Sequence, residues 1–272
     1  MPELPEVEVT RRAVRPLLVG RRVKRVATTV KSYFFLTPPA KLRAALEGHT
    51  VLDLARHGKY LLASLDDGSR LLLHLGMTGQ LLSSRAKGFS PDAHTHLVIA
   101  FADRGPALCF RDVRKFGKVR WLAPGKSDPR LDKLGRDALS VSGEHLFTES
   151  RKRRAAVKTL LLDQGVLAGV GNIYADEALF LAHVRPTRRA ATLKRVECDA
   201  LASAVLRVLR AGIAAGGSSI DDFVHPDGTG GGFQSDHQVY GRGGEPCVRC
   251  GTAIRRVVIG QRSSCFCPSC QR

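Results

Sequence analysis

Short apolar stretches separated by turn residues fill most of the first 122 residues and predict a series of β-strands. Asp66-Asp67-Gly68 and Asp103-Arg104-Gly105 are turn sequences between neighbouring stretches. The predicted strands cover residues 23–30, 51–54, 60–65, 70–75, 96–102, 107–111 and 118–122. An amphipathic helix precedes them, because Pro5 suits a first helical turn and Val7, Val14 and Leu18 share one face. Many short strands of this kind predict a β-sandwich or barrel.

The pattern becomes helical from about residue 142. Apolar residues recur with helical spacing over residues 149–164, 172–183 and 193–215. Residues 124–134 are rich in Pro, Gly, Lys and Asp and predict a linker, whereas the Gly-rich residues 218–232 predict a mobile loop. We therefore divide the chain into a β-sandwich domain with flanking helices, a linker, a helical domain that carries a loop, and a carboxyl-terminal segment. Their predicted bounds are 1–124, 125–141, 142–236 with the loop at 216–232, and 237–272.

The chain is strongly basic. It has 43 Lys and Arg against 25 Asp and Glu, a formal net charge of +18 and a sequence pI of about 10.2. This balance favours a polyanionic partner, with nucleic acid first and an anionic membrane surface second. The sequence contains neither an apolar run of membrane-spanning length nor a signal-peptide pattern, so we expect a cytoplasmic, nucleoid-associated protein that enters no membrane.

Four of the seven cysteines have the spacing of a metal site. Cys247 and Cys250 form one pair with two residues between them, and Cys267 and Cys270 form another after a gap of sixteen residues. Two such turns joined by a hairpin, for which residues 253–259 are a candidate, predict one structural zinc ion held by four thiolates. Cys265 could compete with Cys267, but only Cys267 completes the second pair. The segment from Cys247 onward contains five arginines and no acidic residue, which favours phosphate contacts.

The amino terminus carries candidate chemistry of another kind. If Met1 is removed, Pro2 presents a secondary amine, and its attack on a sugar carbon would give a cationic iminium that promotes elimination. Glu3 beside it could transfer the protons. The same residues also suit a plain helix start, because acidic residues favour the positive end of a helix.

Five further motifs are informative. They are Arg-His-Gly-Lys-Tyr-Leu-Leu at 56–62, His-Leu-Gly-Met-Thr-Gly-Gln at 74–80, Asp-Val-Arg-Lys-Phe-Gly at 112–117, the glycine-rich string Leu-Ala-Gly-Val-Gly-Asn-Ile-Tyr-Ala-Asp-Glu-Ala-Leu-Phe at 167–180, and Gln-Val-Tyr-Gly-Arg-Gly-Gly-Glu-Pro-Cys at 238–247. Asn172 is placed to cap a helix, and glycines at a helix amino terminus suit a phosphate. Met77, in a glycine-bounded turn, is suited to filling a gap in a base stack. Together with Pro-Glu-Leu-Pro-Glu-Val-Glu at 2–8, these motifs resemble the bacterial formamidopyrimidine-DNA glycosylases along essentially the whole chain.

The resemblance implies an α+β multidomain fold, with an amino-terminal β-sandwich and a helical helix-two-turn-helix domain that carries a zinc ribbon. It implies a monomer that binds double-stranded DNA containing a damaged base, excises oxidised purines such as 8-oxoguanine and formamidopyrimidines, and nicks the abasic site by β,δ-elimination. The implied catalytic residues are Pro2, Glu3, Lys59 and Arg262. The implied DNA contacts are Glu6, His74, Met77, His94, Arg114, Phe116, Asn172, Ser218, Ser219, Tyr240 and Arg242.

The sequence departs from the family pattern at Val113, where proline is usual, and at Lys115, where arginine is usual. Both flank the residues expected to enter the DNA, so they bear on loop geometry and on preference for the opposite base. Two alternatives are open. One is an endonuclease VIII-type enzyme for oxidised pyrimidines, although such relatives usually have Pro-Glu-Gly-Pro-Glu-Ile at the terminus. The other is a non-catalytic DNA-damage-binding zinc-ribbon protein, which would not need Pro2 or Glu3.

Overall fold

The computed structural model describes residues 1–220 and 222–272, and these form two compact units. The first unit contains residues 1–132 and 215–234, and the second contains residues 133–214 and 235–272. The loop predicted at 216–232 therefore groups with the first unit, whereas the sequence pattern placed it in the helical domain. Asp221, within that loop, lies outside the described residues. The finer predicted boundaries stay predictions.

The first unit is built from two four-stranded antiparallel sheets. One has the strand order β2 (Val51–His57), β3 (Tyr60–Leu65), β4 (Arg70–His74), β8 (Lys118–Leu122), and the other has the order β1 (Val23–Thr28), β6 (Thr95–Phe101), β7 (Leu108–Asp112), β5 (Gly79–Ser83). One large apolar core takes side chains from both sheets and from the helices α1 (Leu4–Leu18) and α2 (Pro39–Leu46), and Leu62, Leu72 and Leu122 form a second, smaller cluster. The predicted sandwich with flanking helices is confirmed.

Two elements of this unit were not expected from the sequence. Strand β5 follows a glycine-rich turn and offers only Leu81 and Leu82 as an apolar signal, yet it pairs along its whole length with β7. Helix α2 buries only Leu42 and Leu46. Both elements are short, and their stability comes from packing against the core rather than from a strong local pattern.

The second unit is mainly helical. Its principal elements are α4 (Gly143–Arg151), α5 (Val157–Leu162), α6 (Asn172–Leu181), α7 (Arg195–Ala214), and a two-stranded antiparallel hairpin of β11 (Arg255–Ile259) and β12 (Arg262–Phe266). A short helix, α3 (Pro129–Asp132), ends the first unit within the predicted linker. Two short parallel strands pair in the second unit: β9 (Arg136–Asp137) precedes α4, and β10 (Leu167–Ala168) lies between α5 and α6. The hairpin predicted near residues 253–259 thus extends to residue 266.

The single helix predicted over residues 149–164 is wrong, because the chain breaks between α4 and α5. The N–H of Val157 donates to the carbonyl of Arg188 at 2.8 Å, and Ala156 forms a bridge with Arg189. These bonds to a distant segment replace the bonds that a continuous helix would form at the same backbone groups.

Within residues 1–220 and 222–272, no helix combines the length and apolar character that crossing a lipid bilayer requires.

Candidate functional site

Residues 2–8, at the amino terminus of the first unit, are buried, whereas Met1 is exposed, and one carboxylate holds this segment in place. Glu3 caps α1, and its N–H donates to Glu6 Oε2 at 2.8 Å. The N–H of Ser218 donates to the other oxygen, Glu6 Oε1, also at 2.8 Å. Glu6 therefore joins the segment that carries Pro2 to the loop that begins at Ser218, and a shift of either segment would cost a buried charged hydrogen bond.

A second acidic residue fixes α1 against the adjacent sheet. Glu8 accepts hydrogen bonds from Arg11 and Arg12 on its own helix and from Arg56 on β2. Burial disfavours the charged carboxylate, but these arginines outweigh that effect and lower the pKa of Glu8 to about 2. Arg56 also donates to the carbonyl of Gly58 at 2.9 Å, so the same network reaches the turn that carries Lys59.

Lys59 lies in the turn between β2 and β3, where Gly58 takes a φ of +54° that suits glycine. Its side chain is buried, and its charge acts on His74. Burial first, and then the positive charges of Lys59 and Lys118, lower the pKa of His74 to about 4. His74 is consequently neutral at pH 7, and its Nδ1 accepts the N–H of Gly76 at 3.2 Å.

Two loops of this unit present large side chains to solvent. The first loop, residues 75–78, joins β4 to β5, and the second loop, residues 113–117, joins β7 to β8. Met77 is 38% exposed and Phe116 is 42% exposed, and the guanidinium carbon of Arg114 lies 4.7 Å from the Phe116 ring centre. A Cβ on Gly76 would lie 2.5 Å from the backbone of Phe116 and Gly117, so the two loops are in direct contact. The structure thus brings together the methionine, arginine and phenylalanine that the sequence predicts to act together.

The two departures from the family pattern occupy exposed or unusual positions in the second of these loops. Val113 is exposed, and Lys115 has a φ of +58°, in the left-handed region that lysine seldom adopts.

His94, a predicted DNA contact, is half-buried, and its carbonyl accepts the N–H of Asp112 at 2.9 Å. The backbone of His94 therefore supports the residue from which the second loop begins.

The loop after α7 is organised by its own hydrogen bonds. Ser219 donates from its hydroxyl to the carbonyl of Phe223 at 2.7 Å and accepts the N–H of Gly231 at 2.8 Å. Its N–H donates to Gln234 Oε1 at 2.9 Å. Ser218 and Ser219 are therefore fixed in place relative to the buried amino terminus in the first unit.

In the second unit, Asn172 is the first residue of α6, and Gly171 takes the capping position that the sequence predicted for Asn172. The capping role is wrong, because Asn172 lies inside the helix and not at the capping position. Its Oδ1 is buried and finds no hydrogen-bond partner among the described residues. Asn172 lies at the positive end of a ten-residue helix.

The four paired cysteines converge on one point. Their Sγ atoms all lie within 4.8 Å of one another, with 3.9 Å between Cys247 and Cys270 and 3.5 Å between Cys250 and each of Cys267 and Cys270. A zinc ion with Zn–S bonds of about 2.3 Å requires S–S edges of roughly 3.8 Å. The backbone N–H of Arg249 points at Cys247 Sγ at 3.4 Å, as expected for a ligand thiolate. The residues fit one structural zinc ion.

Cys265 is outside this cluster. It is buried near Gly243, and burial raises the pKa of its thiol. Its N–H donates to Asp176 Oδ2 at 3.0 Å. Cys265 is therefore a core residue of the zinc-binding segment, residues 237–272, which we call the ribbon. Of the two cysteines that the sequence left as alternatives, Cys267 is the one in the four-thiolate cluster.

Two adjacent buried acids on α6 hold the ribbon. Asp176 meets Lys158 Nζ at 2.7 Å and accepts the hydroxyl of Ser264, also at 2.7 Å. Glu177 accepts three backbone N–H groups, those of residues 238, 239 and 240, at 2.8 to 3.0 Å. Burial raises the pKa of both carboxyls, although these partners oppose the shift. Lys158, Asp176 and Glu177 were not identified from the sequence. The available signal for the two acids was their position within an otherwise apolar helix.

The remaining predicted contacts lie on or beside the ribbon. Arg262 is exposed and directly follows the Gly260-Gln261 turn, where both residues have positive φ. Tyr240 is half-buried and packs edge-on against His237. Arg242 is already engaged, because its guanidinium meets Glu245 at 2.8 Å and the carbonyls of residues 238 and 246.

Comparisons with known families cover most of the chain. Residues 1–119 match the formamidopyrimidine-DNA glycosylase N-terminal domain, residues 134–224 match the H2TH domain of the same enzymes, and residues 244–272 match the zinc finger found in FPG and IleRS. These matches cover all the candidate residues except Tyr240 and Arg242, which lie between the second and third matched ranges.

Individual relatives agree over their full lengths. The chain is 44% identical over 279 residues to the formamidopyrimidine-DNA glycosylase of Hahella chejuensis, with 100% of both chains covered. The MutM (Fpg) crystal structure from Thermus thermophilus superposes with a TM-score of 0.88 at 39% identity, covering 99% of this chain and 98% of that one. MutM in complex with carbocyclic 8-oxo-G containing DNA superposes with a TM-score of 0.89 at 33% identity, covering 100% of both chains. The chain belongs to the formamidopyrimidine-DNA glycosylase family.

Proposed function

We propose that this protein excises oxidised purines, such as 8-oxoguanine and formamidopyrimidines, from double-stranded DNA and cleaves the strand at the resulting abasic site. The single observation that carries the proposal is the buried terminus of α1, where Glu6 joins the Pro2 segment to the Ser218 loop in a chain of this family. The similar MutM structure is a complex with DNA that contains carbocyclic 8-oxo-G. Such a substrate is consistent with a cytoplasmic, nucleoid-associated location.

The proposed chemistry begins at Pro2. After removal of Met1, the secondary amine attacks C1′ of the damaged nucleotide and the bond between C1′ and the base breaks; the base leaves with the bonding electron pair and takes up the proton that the Pro2 nitrogen loses. Glu3 protonates the sugar ring oxygen, so the ring opens and the nitrogen becomes an iminium. Loss of a proton from C2′ then expels the 3′ phosphate, and a further elimination expels the 5′ phosphate.

Positioning of the substrate uses residues from the first unit. A base must leave the duplex before C1′ can be reached, and Met77, Arg114 and Phe116 are proposed to fill the gap and contact the base opposite. Lys59 is proposed to bind the phosphate and the base of the lesion, with neutral His74 beside it. Ser218 and Ser219 are proposed to read the extruded base through their backbone groups.

The second unit is proposed to bind the DNA backbone. Asn172 lies at the positive end of α6, and Arg262 is an exposed cation beside a tight turn, so both suit phosphate contacts. Tyr240 and Arg242 are proposed to line the DNA path. When bound, the zinc ion supplies structural support for the hairpin that carries Arg262.

The test compares three duplexes that carry 8-oxoguanine, an oxidised pyrimidine or no lesion. We expect wild-type protein to release 8-oxoguanine and to leave phosphate on both sides of the gap. Glu3→Gln should slow ring opening, and with it iminium formation and strand cleavage, by roughly 10²-fold or more, the scale of a lost general acid. Faster excision of the pyrimidine would favour the endonuclease VIII-type alternative, and tight binding without release would favour the non-catalytic one.

A further inference from the structure

Asp112, at the end of β7, is fully buried and directs both carboxylate oxygens at the two exposed loops of the first unit. Oδ2 accepts the N–H of Gly117 at 2.7 Å, and Oδ1 accepts the hydroxyl of Thr78 at 2.5 Å. A buried carboxylate is costly unless its hydrogen bonds are satisfied, so its position depends on these two loops being in place. The side chain lies at the point where the loops meet.

Thr78 extends the connection into the second loop. Its hydroxyl donates to Asp112 and accepts the N–H of Arg114 at 3.2 Å. On the other side, the phenol of Tyr33 donates to the carbonyl of Arg114 at 2.8 Å. The backbone of Arg114 is therefore held at both its donor and its acceptor.

Close backbone packing supports the same arrangement. Gly76 has a φ of +66°, and a Cβ there would lie 2.5 Å from the backbone N of Gly117. The loops therefore meet backbone to backbone on one side and through Thr78 and Asp112 on the other. Met77 lies between these two contacts in the sequence, so its backbone is fixed relative to that of Phe116.

We propose that Asp112 and Thr78 are positioning residues that hold Met77, Arg114 and Phe116 as one wedge assembled before DNA is bound. The inference rests on the proposed function, because the wedge has a task only if a base is extruded. Loss of the connection should therefore weaken gap filling and discrimination of the opposite base, while the chemistry at an existing abasic site is spared. Neither residue touches the reacting atoms.

The test removes one hydroxyl. Thr78→Val keeps the shape but loses both hydrogen bonds, and Thr78→Ser restores the hydroxyl. The matched control is Thr37→Val in the same unit, because Thr37 is similarly buried and its Oγ1 accepts the N–H of Trp121 at 2.9 Å. Asp112→Asn is the second variant, since replacing one acceptor by a donor leaves either the Thr78 hydroxyl or the Gly117 amide without its partner.

Three readouts are compared: excision of 8-oxoguanine opposite cytosine and opposite adenine, cleavage of a pre-formed abasic site, and fluorescence of 2-aminopurine placed beside the lesion. For Thr78→Val we expect excision opposite cytosine to fall about tenfold, the scale of one lost buried hydrogen bond. The cytosine-to-adenine ratio should move toward one, and abasic-site cleavage should change less than excision. Thr78→Ser should recover the ratio, and Thr37→Val should keep it.

The outcomes separate this inference from the proposed function. If Thr78→Val loses thermal stability as Thr37→Val does but keeps the wild-type ratio and the wild-type 2-aminopurine signal, the contact is only structural and the inference is overturned. If wild-type protein neither excises nor cleaves, the proposed function fails. The fluorescence of bound DNA still decides whether Thr78 and Asp112 control gap filling, because that signal needs binding and no turnover.

Discussion

The sandwich of the first unit and the ribbon of the second are stabilised in different ways. The two sheets share one continuous apolar core, whereas β11 of the ribbon hairpin buries only Ile259. The ribbon has only a small apolar cluster, which includes Val239, Ile254 and Cys265. It relies in addition on four thiolates and on the buried side chains Lys158, Asp176 and Glu177. A segment with little apolar surface can thus be ordered by a metal ion and by charged hydrogen bonds to a neighbouring helix.

The largest difference between the regions should appear on loss of the metal. Cys267→Ser removes a zinc ligand, and structural zinc contributes about 10 kcal/mol or more to such sites. We expect the variant to lose its zinc and to lose hydrogen-exchange protection over residues 255–266, while residues 60–74 stay protected. The measurement is zinc content per chain together with exchange followed by mass spectrometry.

Cys265→Ser is the matched control for that experiment. Cys265 is also buried and lies two residues away, but its sulfur is not part of the four-thiolate cluster. One zinc ion per chain should therefore remain. Loss of zinc from Cys265→Ser, or its retention in Cys267→Ser, would contradict the assignment of the ligands.

The next largest effect concerns the buried ion pair of the second unit. Lys158→Met leaves Asp176 buried without its cation, which should cost about 3–5 kcal/mol. The pKa of Asp176, already raised by burial, should rise further. Because its folded pKa lies above the unfolded value, the cost should grow as pH rises and shrink as pH falls toward the unfolded pKa.

Urea unfolding of Lys158→Met at several pH values measures this cost. Lys152→Met is the control, because Lys152 pairs with Glu149 at 2.7 Å on an exposed helix surface. An exposed pair of this kind contributes about 1 kcal/mol or less. Equal costs for the two variants would show that burial of Lys158 is not what makes its charge important.

In the first unit the effect of removing a charge should be smaller. Glu8→Gln disrupts hydrogen bonds from three arginines, and we expect a loss of about 1–2 kcal/mol at pH 7 after solvent screening. The folded pKa of about 2 lies below the ordinary 4.5, so this contribution is present above pH 4.5 and is lost as pH falls toward 2. Denaturant titrations at pH 7 and pH 3 check both statements.

The control for Glu8 is Asp53→Asn, because Asp53 meets Arg15 at 3.3 Å on the surface. It should change the free energy of unfolding little at either pH. A pH-independent cost for Glu8→Gln would mean that packing, rather than charge, accounts for the role of Glu8.

The two regions also differ in what the sequence could predict. Strand alternation and turn residues indicated seven of the sandwich strands, because each signal lies within a few neighbouring residues. The cysteine spacing predicted the zinc site for the same reason, since each pair of ligands is local. Strand β5 and helix α2 were missed, because their apolar patterns are weak and packing stabilises them.

The supporting contacts were not predictable, because their partners are distant in the chain. Thr78 and Asp112 are 34 residues apart, and Glu177 binds backbone groups more than 60 residues later. The capping role given to Asn172 was wrong because Gly171 adopts the extended backbone that ends the preceding turn. Local sequence indicates which residues carry chemistry, but only the fold shows which residues hold them in place.

The most direct test of the account is borohydride trapping on a duplex with one 8-oxoguanine opposite cytosine, followed by mass mapping of the cross-linked residue. We predict a stable adduct on Pro2 that is absent in Pro2→Gly and in protein extended before Pro2. Pro5→Ala, which changes the neighbouring proline of the same terminus, should still be trapped. An adduct on a lysine instead of Pro2, or bound DNA with no adduct and no strand cleavage, would contradict the account.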